Sequence, residues 1–448
     1  MIRRPLLLPL ALAAGAVVAA FVPRGDAAAD GERTLVILEE DEPQTTYPFL
    51  ARTMSESRLA ELLFDRLFTE SSGGSVKSRV FAPEWKVNSS GSGDANLSVT
   101  VQDGLKFANG KQATFSDVTF TINDVYRRRD VGHDQGDWYG RVFGDAQQIT
   151  PMVGKVKFGI AVPDEGAEKY LLTTVMLSRE TLSAGGGKPD LEATKRKPVG
   201  TGPYFAAETI ESFDDVHLTR NPHRPGKADD SRKPVNQLRL QYDQDAARQR
   251  ELMEGGRADI WVSPPPAVLP PFKNQTERYG VKSYQLNQWW FVAMNHVNGH
   301  LSDPRVREAL DLAVPRKQLV EKFGGDSARL TSGPFLPTSA WQPADALPTP
   351  EDRARATKLM EEAGYSKQGG VWTKNGEAVS LRWGVQSDLM EDYNDVVYGL
   401  NDAWEEAGFN VRVRPLRTTD WRERVESGKA GETLDLILGR WNIDREEA

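Results

Sequence analysis

The order of apolar and polar residues predicts an α/β protein. Residues 33–40 (RTLVILEE) and 379–386 (VSLRWGVQ) are apolar runs with β-branched side chains, which is typical of buried strands. Residues 53–70 instead repeat leucine and phenylalanine at helical spacing. Strands and helices alternate in this way along 448 residues, a length that requires two or three hydrophobic cores. Ligands of open α/β sheets bind at the carboxyl ends of strands, so we expect a cleft there.

Two helices and several strands are expected in the first half of the chain. Ser55 or Ser57 is expected to cap the helix at 53–70. Ser116 is expected to cap a second helix at 114–128. Strands are expected at 33–40, at the start of 96–114 before the turn Asn109-Gly110, and at 154–164; residues 183–198 are polar and glycine-rich, as in a linker.

The second half continues the alternation. Asp303 and Pro304 mark the start of one helix, which Pro315 interrupts, and Gly364 ends another. Helices are expected at 246–260, 303–323, 351–365 and 393–409, and strands at 214–222, 234–245, 281–295, 379–386, 410–416 and 434–444.

Composition excludes several classes of protein. Hydrophobic residues make up 39% of the chain and aromatic residues 9%, which excludes overall disorder. The formal net charge is −8, and no Lys/Arg block is longer than Arg127–Arg129, so we expect no nucleic-acid partner. The chain contains no cysteine, which excludes disulfides and a lipid-anchoring cysteine.

The first 29 residues have the pattern of a signal peptide. Arg3 and Arg4 precede the apolar residues 5–22, and Ala27 and Ala29 offer a small-residue cleavage site. We expect removal of residues 1–29 and a periplasmic or secreted product that begins at Asp30. The alternative is an N-terminal membrane anchor, because the apolar run could nearly span a bilayer.

Motifs for catalysis or phosphate binding are incomplete. Gly200-Thr201-Gly202 lacks the third small residue of a dinucleotide loop, and GGGK (185–188) runs into Pro189. His296 and His300 flank a turn signal, and no G-x-S-x-G sequence occurs. We therefore predict no catalytic residue, no cofactor and no metal site. A secreted hydrolase remains the less favoured alternative.

Residues 197–224 (KPVGTGPYFAAETIESFDDVHLTRNPHR) resemble a family signature. The Pro-Val-Gly-Thr-Gly-Pro-Tyr run followed by Arg-Asn-Pro is similar to that of the extracellular solute-binding proteins of family 5, the peptide- and dipeptide-binding components of ABC importers. Gly200 and Gly202 are expected to supply freedom in φ within a turn beside the cleft. Further segments resemble the family in the same order: 62–70, 81–87, 101–122, 294–321 and 356–365.

The resemblance implies a type-II periplasmic binding fold, with two lobes around a ligand cleft and an extra subdomain in the first lobe. Family members continue beyond the end of this chain, so the implied second lobe is incomplete. The expected division is signal peptide 1–29, lobe I 30–78 and 198–286, inserted subdomain 79–197, and lobe II 287–448.

The resemblance also implies capture of a peptide-like solute and its delivery to an ABC permease and ATPase complex in the membrane. In GRWNID (439–444), Trp441 would lie against the ligand and Asp444 would pair with its ammonium group. Glu42 and Gln44 fall on the ligand edge of the first strand, with Tyr47 in place of the family's Asp. Trp290 and Asn295 are further candidates on the strand that enters lobe II.

Other readings of the binding role remain open. The solute would be an oligosaccharide, an opine or a metal complex in place of a peptide, or the protein would act as a sensor. In each case a monomer is expected.

Overall fold

A computed structural model describes most of the chain. It covers residues 18–21, 34–39, 42–51, 53–70, 75–88, 95–131, 136–163, 166–183, 189–224, 235–243, 245–265, 268–282, 288–321, 329–332, 349–417, 420–421, 424 and 433–442.

The strands of these residues fall into five sheets. They are β1 (Val18–Phe21), β2 (Thr34–Glu39), β3 (Thr69–Glu70), β4 (Val76–Lys77), β5 (Lys86–Asn88), β6 (Asn96–Thr100), β7 (Phe143–Gln148), β8 (Val153–Phe158), β9 (Tyr204–Phe205), β10 (Asp215–Arg220), β11 (Gln237–Tyr242), β12 (Ile260–Trp261), β13 (Tyr279–Lys282), β14 (Gln288–Met294), β15 (Ser366–Gln368), β16 (Val371–Lys374), β17 (Glu377–Ala378), β18 (Ser380–Gln386), β19 (Asn410–Leu416) and β20 (Leu436–Asn442).

The helices alternate with these strands. They are α1 (Met54–Leu63), α2 (Phe115–Phe120), α3 (Gly136–Val142), α4 (Arg179–Leu182), α5 (Leu191–Thr194), α6 (Ala246–Glu254), α7 (Leu269–Lys273), α8 (Pro304–Leu312), α9 (Arg316–Leu319), α10 (Arg353–Glu362) and α11 (Ser387–Ala407). A π-helical turn, Thr121–Tyr126, continues α2, and short 3-10 turns cover Pro48–Leu50, Arg129–Val131 and Ala167–Leu171.

The first large sheet has seven strands in the order β13-β1-β12-β2-β11-β10-β9. Strand β2 runs parallel to both of its neighbours, β11 and β12. The carboxyl ends of these three strands therefore meet at one edge of the sheet, beside the loop that leads from β2 to α1. This is the edge at which open α/β sheets bind ligands.

Two hydrophobic clusters cover the two faces of this sheet. Leu38 and Trp261 belong to a small cluster with Phe272, in the part packed by α6 and α7. The other face joins a larger cluster that runs from Leu240 on β11 to Phe115 and other residues of 80–191. The predicted inserted subdomain thus shares one continuous core with the sheet.

The second large sheet has the order β14-β20-β18-β19, with β14 antiparallel to β20 and β18 parallel to β19 and β20. Its core contains residues from Leu301 to Leu438. Trp383 and Trp404 meet edge to face at 5.1 Å inside this core. The Trp404 indole donates to the carbonyl of Leu310, 3.0 Å away, and so ties α11 to α8.

The predicted strand at 281–295 was wrong as a single element. Strand β13 ends at Lys282 in the first sheet, and β14 begins at Gln288 in the second. Alternation of apolar and polar residues indicates extended backbone, but it does not show which sheet the backbone joins. The chain passes from the first sheet to the second between these two residues.

The predicted helix caps were also wrong. Thr53 caps α1 in a capping box with Glu56, and Thr114 caps α2 in a capping box with Asp117. Helix α1 ends at Leu63, because the residues that follow pair with 174–176 through backbone hydrogen bonds. In contrast, the Asp303 cap and the interruption of the helix at Pro315 are confirmed.

Strand β1 lies inside the segment that the sequence assigns to a signal peptide. Val18–Phe21 pairs antiparallel with β12 and with β13. This placement differs from the expectation that residues 1–29 stand apart from the fold. The backbone N–H and C=O groups of an extended apolar segment can be paired by two flanking strands whose edges are free. Cleavage of the signal peptide stays a prediction.

Gly200 and Gly202 allow a loop to lie directly on the end of α1. The Gly202 N–H donates to the carbonyl of Leu63 at 3.0 Å. A Cβ on Gly200 would overlap that carbonyl oxygen, and one on Gly202 would lie 2.6 Å from it. Neither glycine has a positive φ. The expectation of φ freedom was therefore wrong, and glycine is required here for close approach of two backbone segments.

The variant Gly200→Ala should lower the free energy of unfolding by about 2 kcal/mol, since the added methyl group must displace backbone. Gly299→Ala is the matched control, because its Cβ would meet no heavy atom within 4 Å. We expect that variant to stay within about 0.5 kcal/mol of the parent. Urea unfolding followed by tryptophan fluorescence measures both, and equal losses would contradict the close-approach explanation.

Candidate ligand-binding site

The loop of residues 42–48, here called the ligand loop because it carries the predicted ligand-binding residues Glu42 and Gln44, follows β2 at the parallel-strand edge of the first sheet. The side chains of Glu42 and Gln44 are exposed there. Tyr47 points the other way and is 2% exposed, and its ring contacts Phe49 and Phe64. Its hydroxyl lies 2.6 Å from Thr194 Oγ1, and burial raises the pKa of Tyr47 to about 12. The tyrosine therefore anchors the loop in the core.

A buried carboxylate joins this loop to α1. Glu56 Oε1 accepts the backbone N–H of Gln44 at 2.9 Å, and Oε2 accepts that of Thr53 at 3.1 Å. The Glu56 N–H donates to Thr53 Oγ1 at 3.2 Å. The carboxylate that completes the helix cap thus also holds the middle of the ligand loop.

A buried ion pair lies at the last residue of β2. Glu39 is 2% exposed, and its carboxylate accepts from Arg58 Nε at 3.0 and 3.1 Å and from Ser55 Oγ at 3.3 Å. Its backbone carbonyl accepts from Gln249 Nε2 at 2.7 Å. Charge-assisted pairs of this kind are strong when buried and fully hydrogen-bonded. The pair fixes α1 on the carboxyl end of the central strand.

Tyr242 is the neighbour of Glu39 across β11 and β2. Burial raises the pKa of the Tyr242 hydroxyl, and the negative charge of Glu39 raises it further. Within the described part of the chain, this buried hydroxyl has no hydrogen-bond partner. Sequence reasoning missed Glu39, Arg58 and Tyr242; the available signal was a carboxylate at the end of an otherwise apolar strand.

In the second sheet, two of the predicted ligand-binding residues, Trp290 and Trp441, lie on the paired strands β14 and β20. Trp441 lies opposite Trp289, and Trp290 lies opposite Arg440. Trp290 is half-buried and packs against the core of the second sheet. The side chain of Trp441 and the whole of Asp444 lie outside the described residues. The backbone register therefore places the two tryptophan positions 289 and 441 side by side.

Asn295 holds the turn after β14. Its Oδ1 accepts the N–H of Val297 at 3.0 Å, and its Nδ2 donates to the carbonyl of Leu434 at 3.4 Å. Its backbone N–H donates to the carbonyl of Asp435 at 2.9 Å. The two ends of this amide thus bind backbone groups of the turn and of the residue that lies two positions before β20, and contact of Asn295 with a ligand stays a prediction.

Asp435 connects three segments of the second sheet. Its carboxylate accepts from Arg382 Nε at 2.9 Å, from Arg382 N at 2.8 Å and from Asn298 Nδ2 at 2.9 Å. Burial by itself raises the pKa of the Asp435 carboxyl, but the hydrogen bonds from Arg382 outweigh it and leave that pKa below its usual value. Asp435 is therefore ionised in the folded protein at neutral pH.

The two histidines of the predicted turn do not meet at a metal site in this structure. His296 is exposed, and His300 Nδ1 lies 3.0 Å from Tyr365 Oη. Across the described residues, no three His, Cys, Asp or Glu side chains come close enough together to hold a metal ion.

In the same residues, no helix combines the length and apolar character needed to cross a membrane.

Two large mixed sheets, each with its own core, define the class of type-II periplasmic solute-binding proteins. The family model described as Bacterial extracellular solute-binding proteins, family 5 Middle, matches residues 82–448. The chain belongs to this family, which consists of periplasmic or extracellular binding proteins. The predicted resemblance and the predicted fold class are confirmed.

Curated relatives match over most of this chain. Protein XP55 of Streptomyces lividans is 26% identical over 90% of this chain and 71% of its own length. Di/tripeptide-binding protein 1 of Pseudomonas aeruginosa is 24% identical over 96% of this chain and 79% of its own. The periplasmic murein peptide-binding protein MppA of Escherichia coli is 23% identical over 96% and 78%.

Solved structures show the same fold. NikZ from Campylobacter jejuni in complex with Ni(L-His) superimposes with a TM-score of 0.75 at 19% identity, covering 92% of this chain and 78% of its own. The oligopeptide-binding protein AppA from Bacillus subtilis, in complex with a nonapeptide, has a TM-score of 0.73 at 19% identity, covering 92% and 80%. At such identities the likeness concerns the fold.

The variant Asp435→Asn should lower the free energy of unfolding by about 2 kcal/mol at pH 7, because the amide cannot accept all of the donors that surround it. A carboxyl with a lowered folded-state pKa stabilises above its unfolded pKa, near 4, and this contribution disappears as pH falls through the folded pKa. The difference between parent and variant should therefore shrink as the pH falls below about 5 in urea titrations.

Asp420→Asn serves as the control for this prediction, since Asp420 pairs with the exposed Arg417 at the surface. Its effect should be within about 0.5 kcal/mol at any pH. A difference at Asp435 that stays constant as pH falls would contradict the ionised assignment.

Proposed function

We propose that this protein is an exported solute-binding protein that captures a peptide-like solute and delivers it to an ABC permease and ATPase complex. Support comes from membership of the family and from curated relatives described as di/tripeptide- and murein peptide-binding proteins. The proposal includes no catalytic step and no cofactor. If the solute is not a peptide, it would be an oligosaccharide, an opine or a metal complex.

The proposed binding unit has two lobes. Residues 30–78 and 198–286 form lobe I, residues 79–197 its inserted subdomain, and residues 287–448 the part of lobe II in this chain. Separate cores on the two large sheets and the passage from Lys282 to Gln288 support this division. A ligand favours closure of two lobes only through its higher affinity for the closed state.

The observation that carries the proposal is the ligand loop. Glu42 and Gln44 are exposed at the edge where the carboxyl ends of three parallel strands meet. The loop that bears them is held from beneath by buried Glu56 and Tyr47. Exposed polar groups on a rigid support at this edge fit the capture of a polar solute.

Trp441 and Asp444 complete the proposed site from the second lobe. The Trp441 ring would lie against the solute, and the Asp444 carboxylate would pair with an ammonium group. The register of β14 and β20, with positions 441 and 289 opposite each other, supports an aromatic surface at this end of the sheet. Truncation of one partner in a desolvated ion pair typically costs a few kcal/mol.

Binding should depend on the free amine of the peptide. We expect isothermal titration calorimetry to detect a di- or tripeptide from a library, and N-acetylation of that peptide to weaken binding at least tenfold, since it removes the charge that Asp444 would pair with. Asp444→Asn should weaken binding of the free peptide to a similar extent and leave the affinity for the acetylated peptide unchanged.

Asp402→Asn is the matched control, because it removes one exposed carboxylate from α11 in the same lobe. It should bind the free peptide with the affinity of the parent. Equal binding of both peptides by the parent would contradict the ammonium assignment. Binding of only sugars, opines or nickel–histidine by the parent would replace the peptide proposal with that solute class.

Export should remove residues 1–29. When the full chain is expressed in a secreting bacterium, intact mass spectrometry of the extracytoplasmic protein should give the mass of a chain that begins at Asp30. Ala29→Pro should block this cleavage, because small residues are required at the site. A secreted protein that retains Val18–Phe21 would contradict the signal-peptide prediction and support a structural role for β1.

A further inference from the structure

Two buried carboxylates occupy the same place in two helices. Glu56 is the third residue of α1 and Asp117 the third residue of α2. Each accepts the backbone N–H of the threonine that precedes its helix, at 3.1 Å for Glu56 and at 3.0 Å for Asp117. Their exposed fractions are 4% and 7%. Both carboxylates thus accept the backbone N–H of a threonine at the start of a helix.

Their second oxygens bind different parts of the chain. Glu56 Oε1 accepts the N–H of Gln44 in the ligand loop at 2.9 Å. Asp117 Oδ1 accepts the N–H of Arg179, the first residue of α4, at 3.0 Å. The first bond reaches the proposed binding site, and the second stays within the region of the proposed subdomain.

Other bonds connect the same end of α1 to the strand before the loop. Ser55 and Arg58 both donate to the carboxylate of Glu39, the last residue of β2. Glu39 and Gln44, the two residues thus held by α1, lie on either side of Glu42 in the chain. The loop geometry is therefore coupled to α1 at two points.

We infer that Glu56 is a positioning residue for ligand binding, which holds the Gln44 backbone so that the ligand loop presents Glu42 and Gln44 to the solute. This inference rests on the proposed function. The negative charge matters because both oxygens of this buried carboxylate accept from backbone N–H groups. In Glu56→Gln, an NH₂ group replaces one oxygen, so either the helix cap or the loop loses its acceptor.

The experiment compares Glu56→Gln with Asp117→Asn in the full exported protein. Both replacements remove one acceptor from a buried capping carboxylate, so both should lower the unfolding midpoint in urea to a similar extent. Glu56→Gln should also weaken binding of the library peptide about tenfold, whereas Asp117→Asn should stay within about twofold. Hydrogen exchange should accelerate over 42–48 in the first variant and over 178–182 in the second.

A double-mutant cycle separates positioning from general destabilisation. If Glu56 acts through the loop, Gln44→Ala and Glu56→Gln should have strongly non-additive effects on affinity, whereas Gln44→Ala and Asp117→Asn should add. Equal losses of affinity in Glu56→Gln and Asp117→Asn, or additive effects with Gln44→Ala, would overturn the inference while the proposed function stands. Absence of peptide binding by the parent would overturn both.

Discussion

The attachment of α1 to the first sheet is the constraint on which the proposed site depends. At its amino end, Glu56 holds the ligand loop, and Arg58 pairs with buried Glu39. At its carboxyl end, the backbone of Leu63 lies directly against the Gly200–Gly202 loop. Both contacts need an unusual feature, a buried charge or a glycine, and both would be costly to break.

In this arrangement, the buried groups that hold the ligand loop differ from the exposed groups that would contact a solute. Glu56 and Tyr47 hold the ligand loop through hydrogen bonds and packing, so its exposed side chains are presented without a large ordering cost on binding. The second sheet uses a similar device: Asp435, held by Arg382, ties the turn after β14 to β20. In the proposed function, closure of one proposed lobe on the other brings together two prearranged surfaces, with selectivity set by the solute groups that each surface contacts.

Sequence patterns predicted the alternation of elements well where local chemistry decides it. The Asp303 cap and the stop at Gly364, whose φ is +85°, follow directly from residue type. The serine caps were wrong for a local reason, because Thr53 and Glu56 already form the T-x-x-E capping box in the sequence. The patterns also failed where distant segments decide: α1 ends at Leu63 because the next residues pair with 174–176. Of the predicted site residues, Glu42 and Gln44 are exposed in the loop after β2, and Asn295 bonds to backbone groups of Val297 and Leu434.

By itself, the sequence determined the α/β class and the family, because periodicity, turn residues and motif order are local properties of the chain. Tertiary structure decided which sheet each strand joins, why Gly200 and Gly202 are glycines, and that Glu39, Arg58 and Tyr242 meet at the end of β2. These features depend on contacts between residues far apart in the chain. The roles of these residues can therefore be assigned only when the distances between them are known from the packed structure.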